Sequence, residues 1–71
     1  MDCRNLRAEM ARNGIRINQV EKAAGLSTPS IYSRFKGKTD FKVGELMKIR
    51  DTFFPELSLD YLAGFTDERG R

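Results

Sequence analysis

Gly25 to Lys38 read GLSTPSIYSRFKGK, and this stretch decides the fold. Gly25 tolerates the left-handed backbone that a helix C-terminus commonly needs, so it closes whatever precedes it. Gly25-Leu26-Ser27 then reads as a turn. Thr28-Pro29 reads as a helix start, with a hydroxyl cap and a proline at the first helical position, where the missing N–H is not needed. The spacing predicts a helix from Pro29 to about Lys36. Ile31 and Phe35, four apart, face inward; Pro29, Tyr32, Ser33 and Lys36 fall on the other side. That outer side is at once polar, aromatic and basic.

Upstream, Cys3, Leu6 and Met10 share one helical face, with Arg4, Arg7 and Arg12 around the others. This predicts a first helix over about 2–12, ended by Asn13-Gly14. In INQVEKAAG, Asn18 followed by Glu21 reads as an N-cap with a capping-box partner, so a second helix is expected from Gln19 to about Ala24. Downstream, GKTDF is a loop broken at Gly37. Val43, Leu46, Met47, Ile49, Phe53 and Phe54 form the stripe of a fourth helix that stops at Pro55. A capping hydroxyl is missing just before Val43, where Lys42 stands. Either Thr39 or Asp40 serves from further back, or this helix starts weakly. SLDYLAG has Ser58 as N-cap, Asp60 in the first turn and Gly64 past the end. The pattern describes an all-α, compact five-helix bundle over 1–65 with a mobile tail over 66–71.

Composition narrows the chemistry. A 71-residue chain is one domain near the lower size limit for a single hydrophobic core. One cysteine and no histidine leave neither a disulfide framework nor a Cys/His zinc site. Cys3 reads as a lone thiol, a small hydrophobe at a helix start. Without histidine the commonest general base is missing, and Asp51, Glu56 and Asp60 near element ends suit capping and solvation, so no enzyme, cofactor or metal is expected. No apolar run approaches a membrane span, which points to a soluble, cytoplasmic protein. The net charge of +3 is uneven: residues 1–42 carry nine Lys/Arg against four Asp/Glu, residues 43–71 four against six. A polyanion is therefore expected to meet the first part.

Two short helices joined by a glycine-containing turn make a candidate for a second helix that enters the major groove. NQVEKAAGLSTPSIYSRFKGKTDFKVGELMKI resembles the helix-turn-helix of the Cro and phage-repressor family of transcriptional regulators. The matching features are the glycine closing helix 2, the LS turn, the isoleucine five residues after Leu26, SRF before a GKT loop, and the amphipathic helix opening F-x-V-x-E-L. LSLDYLAG resembles the short fifth helix of small members, so the likeness covers about residues 4–65. It implies a lambda-repressor-like fold and a repressor-like regulator that binds double-stranded DNA as a homodimer on a palindromic operator. Two positions depart from the pattern: Glu21 stands where a small residue is usual, and Lys42 replaces a capping hydroxyl. We read Glu21 as serving the start of helix 2 through Asn18.

Carried onto this chain, the base-facing residues are Thr28, Pro29, Tyr32 and Ser33, the first two also explained by helix capping. None is a strong bidentate reader of a base. The DNA-backbone residues are Arg16, Asn18 and Gln19 at the start of helix 2, with Arg34, Lys36 and Lys38; Arg34 can instead pair with a carboxylate inside the protein. A dimer would draw on Phe54, Leu57, Leu59, Tyr61, Leu62 and Phe65, which ordinary core packing also claims. Tyr32, Phe35 and Phe41 among cations also fit a stacking surface for single strands. The rival class is a protein-interaction module on the same scaffold, such as an antitoxin, an anti-repressor or an assembly factor.

Overall fold

In the computed structural model, which describes residues 3–69, five helices follow one another: α1 (Arg4–Arg12), α2 (Ile17–Ala24), α3 (Thr28–Phe35), α4 (Val43–Phe53) and α5 (Leu59–Ala63). The Cα radius of gyration is 10.8 Å, against ~11 Å for a compact chain of this length. α1 packs on α5, α2 on both α3 and α4, and α4 on α5. Leu6, Val20, Ile31, Ile49 and Leu62, one from each helix, are fully buried in a single core. No described helix is long and apolar enough to cross a membrane.

The helix starts are shifted from those the sequence suggests. α2 begins at Ile17 with Arg16 as N-cap, not at Gln19 with Asn18. The Arg16 N–H donates to Gln19 Oε1 at 2.8 Å, so Gln19, not Glu21, supplies the reach-back. Ile17 packs against the core, and that contact draws the first turn upstream. α3 is capped by Ser27, whose Oγ accepts from the Ser30 N–H at 3.4 Å, and Thr28 is already helical. α4 has Lys42 at its N-cap, and Glu45 Oε1 accepts the Lys42 N–H at 2.9 Å. Glu45 thus supports the start for which Thr39 or Asp40 was expected. α5 follows expectation: Ser58 Oγ accepts from the Tyr61 N–H at 3.0 Å, and Gly64 closes the helix at φ 90°.

The apolar stripe of α4 is wider than the arc its neighbours cover. Leu46, Ile49 and Phe54 are buried, whereas Val43 and Met47 face outward, 66% and 40% exposed. The residues expected to pair two copies are largely taken up by the core. Phe54, Leu57, Tyr61 and Leu62 are buried within the chain, and Leu59 is half-buried against the core. Of that group only Phe65 is largely exposed. A core this small needs nearly every apolar side chain it has.

Among the described residues one charged group sits fully inside. Glu9 shares the face of α1 that carries Leu6 and Met10 and has no solvent exposure. The Tyr61 hydroxyl donates to its Oε2 at 2.7 Å, Arg12 Nη1 at 2.8 Å and Arg69 Nε at 3.1 Å. Burial pushes the Glu9 pKa up, but the Tyr61 hydrogen bond and the charges of Arg12 and Arg69 outweigh it and hold the carboxyl below its ordinary 4.5. The Tyr61 hydroxyl is pushed above its ordinary 10.0, first by bonding to the carboxylate and then by burial. Of the tail expected over 66–71, residues 66–69 lie against α1 and the α5 entry. Asn5 Nδ2 donates to the carbonyls of Tyr61 (2.9 Å) and Thr66 (3.1 Å), and the Ser58 N–H donates to the Arg69 carbonyl at 3.0 Å. Residues 70 and 71 lie outside the described residues.

Glu9→Leu strands the buried Tyr61 hydroxyl and is expected to cost about 2 kcal/mol in urea unfolding, and clearly less in a Tyr61→Phe background. Because the folded-state pKa of Glu9 is lowered, its stabilisation is present above pH 4.5 and lost as pH falls through the lowered value. Unfolding curves across that acid range should therefore be flatter for Glu9→Leu than for the parent.

Candidate nucleic-acid interface

α3 is held from one side and bare on the other. Its inner side buries Ile31 and half-buries Phe35, whose ring meets Phe41 edge to face at 5.7 Å. A second anchor is ionic. Arg34 Nε donates to Glu45 Oε1 at 3.0 Å and Arg34 Nη2 to Glu45 Oε2 at 3.2 Å, a two-pronged pair that ties α3 to the first turn of α4. Arg34 Nη1 also donates to the Ser30 carbonyl at 3.2 Å, and the side chains of the pair are only 14% and 15% exposed. Burial pushes the Glu45 pKa up, but the Lys42 N–H and Arg34 prevail and hold the carboxyl below its usual range.

Arg34 therefore leaves the set of cations able to clamp an external phosphate. Three of its five N–H groups donate inside the protein, to Glu45 and the Ser30 carbonyl, and withdrawing them would strand a partly buried carboxylate. The other expected backbone residues, Arg16, Asn18, Gln19, Lys36 and Lys38, are all exposed. Of these, Gln19 already accepts the Arg16 N–H through Oε1, which leaves its amide N–H groups for another partner.

The expected base-facing residues lie where the helical spacing puts them. Thr28, Pro29 and Tyr32 are exposed, Tyr32 at 48%, and Ser33 is half-buried with its hydroxyl 3.3 Å from that of Thr39. Ser30 turns sideways into the cap, receiving a hydrogen bond from Ser27 Oγ at 3.0 Å. Ile17, Tyr32 and Lys36 line one concavity, so the start of α2 lies beside the outer face of α3. At the start of α2 the Arg16 N–H is taken by Gln19 Oε1 and the Gln19 N–H by the Arg16 carbonyl, which leaves the Ile17 and Asn18 N–H groups, together with the Arg16 side chain, to attract an anion. A single-strand stacking surface loses two of its three rings, since Phe41 is buried and Phe35 packs on it.

Glu21 does not obstruct the α2–α3 contact. Its side chain is half-buried, and its carbonyl accepts the N–H groups of Gly25 (2.8 Å) and Leu26 (3.2 Å) that make the turn. Sequence reasoning passed over Arg7 as a site residue. It reaches across from α1, with its guanidinium carbon 5.6 Å from the centroid of the Phe35 ring. The approach of α1 to α3 that brings it there has no local signature in the sequence.

In comparisons with known proteins, the chain matches no family model, no curated protein and no solved structure.

The angle between α2 and α3 turns on Gly25, at φ 71° with open space where a Cβ would stand. Gly25→Ala is therefore expected to cost about 1–2 kcal/mol through backbone conformation alone, and Gly25→Asn less, because asparagine enters the left-handed region more readily. Urea midpoints of the two variants against the parent check this.

Proposed function

We propose that this chain is a sequence-specific, double-stranded DNA-binding regulator of the helix-turn-helix type, with α3 as the helix that enters the major groove. The observation that carries the reading is the division of α3 into two sides. Ile31, Phe35 and the Arg34–Glu45 pair fix the helix from within, while Thr28, Pro29, Tyr32 and Ser33 stand on the other side, Tyr32 beside the start of α2. An α-helix about 10–12 Å across fits a major groove about 12 Å wide. Hydroxyls there can meet several base edges, and Pro29 and the Tyr32 ring can touch a thymine methyl. Arg16, Lys36 and Lys38 supply phosphate contacts, and the basic excess of residues 1–42 favours approach to DNA.

A module of this size covers one half-site, so a two-fold pair on a palindrome supplies the rest of the affinity. With Phe54, Leu57, Tyr61 and Leu62 inside the monomer, pairing falls to Phe65 and the uncovered part of Leu59. Repression follows if the operator overlaps a promoter. The resemblance in sequence to the Cro and phage-repressor family supports the same reading.

Selection of bound duplexes from a random pool should return a palindromic consensus. Against that consensus, Tyr32→Ala with Ser33→Ala should cost about 2 kcal/mol while leaving nonspecific binding nearly intact. Lys36→Gln should weaken all duplexes alike and lower the salt slope by about one, whereas Arg34→Met should lower thermal stability and leave that slope unchanged. No enrichment from the pool, or an affinity indifferent to salt, would move the α3 face to a protein partner.

A further inference from the structure

We propose that the cavity between α1, the α1–α2 loop and α3 binds a small amphipathic carboxylate, with its apolar body on Met10, Ile15, Ile17 and Phe35 and its carboxylate between Arg7 and Lys36. The cavity has a volume of about 490 Å³, within the ~300–1,000 Å³ of small-molecule sites, and is a broad groove open to solvent. Its walls come from three separate pieces of chain. Met10 and Ala11 belong to the end of α1, Ile15 and Ile17 to the following loop and first turn of α2, and Tyr32, Phe35 and Lys36 to α3 and its cap. Ile15, Ile17 and Phe35 are only partly covered by the core they pack against, so each keeps apolar surface that an occupant could remove from water.

The charge at the rim selects the head group. Arg7 and Lys36 both line the cavity, and among the described residues neither has a carboxylate within ion-pair distance. The nearest carboxylate on α1, Glu9, is already occupied on the buried side by Tyr61, Arg12 and Arg69. Arg7 is also steadied by the Phe35 ring, 5.6 Å from its guanidinium carbon, and both side chains line the cavity. A guanidinium fork beside apolar walls suits a carboxylate, which it can meet with two parallel hydrogen bonds, while Lys36 adds a point charge. A neutral ligand would leave both cations without gain, and a cationic one would be repelled. The proposed occupant is therefore an alkyl or aryl acid with one anionic group.

The test is an NMR titration of the full chain, isotope-labelled and without DNA, with sodium octanoate, using octylammonium chloride as the charge-reversed control. Its outcome does not depend on the DNA reading. Saturable shifts confined to Ala11, Ile15, Ile17 and Phe35 are expected, with octylammonium binding at least tenfold more weakly. Arg7→Gln with Lys36→Gln should reduce octanoate affinity about tenfold while leaving the melting curve near that of the parent. Ala11→Phe, on the exposed side of α1, should fill the cavity and abolish the shifts in a folded protein. Equal binding of octylammonium, shifts spread over the whole surface, or undiminished binding to the Ala11→Phe protein would each overturn the proposal.

Discussion

The buried carboxylate of Glu9 is the constraint around which the two ends of the chain are arranged. An ionised group removed from water is tolerated only when its oxygens are satisfied, and three donors from three places do this: Arg12 one turn ahead, Tyr61 on α5, and Arg69 beyond it. Each donor fixes something else. Tyr61 can reach Glu9 only if α5 lies flat on α1, and α5 lies there only if Phe54 and Leu57 turn the chain back into the core. Arg69 adds the segment after α5 to the same cluster. Hydrophobic burial supplies most of the driving force, but it is indifferent to register; the Glu9 cluster selects one register of α5 on α1.

A second ion pair does comparable work between α3 and α4. Arg34 and Glu45 lock α3 against α4, and the same carboxylate supports the start of α4 through the Lys42 N–H. The loop between α3 and α4 is thereby bounded at both ends by one side chain. Phe41 is tucked beneath it, near enough to Arg34 for the guanidinium to lie 6.0 Å from its ring. A cation that looks available in the sequence is in this way turned inward, and α3 offers fewer positive groups to the outside than its composition suggests. Its outer face relies instead on neighbours: Lys36 and Lys38 after the helix, and Arg16 at the start of α2.

Much of this is legible in the sequence. Gly14, Gly25, Gly37 and Gly64 all take positive φ where the sequence needs a break, and the helices fall between them. Ser58 and Pro55 also mark their boundaries correctly. The errors have physical causes. Ser27 and Thr28 are adjacent hydroxyls, and pattern alone cannot say which one caps; Asn18 looks a better cap than Arg16 until the packing of Ile17 pulls the turn upstream. Val43 and Met47 share a stripe with Leu46 and Ile49, but neighbours cover only part of that arc. The pairing of Arg34 with Glu45, eleven residues apart across a loop, leaves no periodic trace. Glu9 did leave one, since it interrupts the apolar face of α1, and a charge in that place is a reason to look for buried donors. The outer face of α3 was read from spacing, and its exposure agrees, with Ser33 more covered than expected.

The seam between α1 and α5 also bears on how the molecule opens. Its side-chain hydrogen bonds join residues 52 to 61 positions apart, so closing it brings together almost the largest loop this chain can form. The contacts that hold α3 are shorter in range: eleven residues from Arg34 to Glu45, and six from Phe35 to Phe41. Loop-closure entropy orders these events, with the α2–α3–α4 contacts able to form while the ends are still apart. In reverse, the seam can part first and leave α3 seated on its neighbours. Amide hydrogens at the two ends would then exchange as one unit, ahead of those around Ile31 and Ile49. The face offered by α3 is thus insulated from fraying at the ends, although all five helices contribute to a single core.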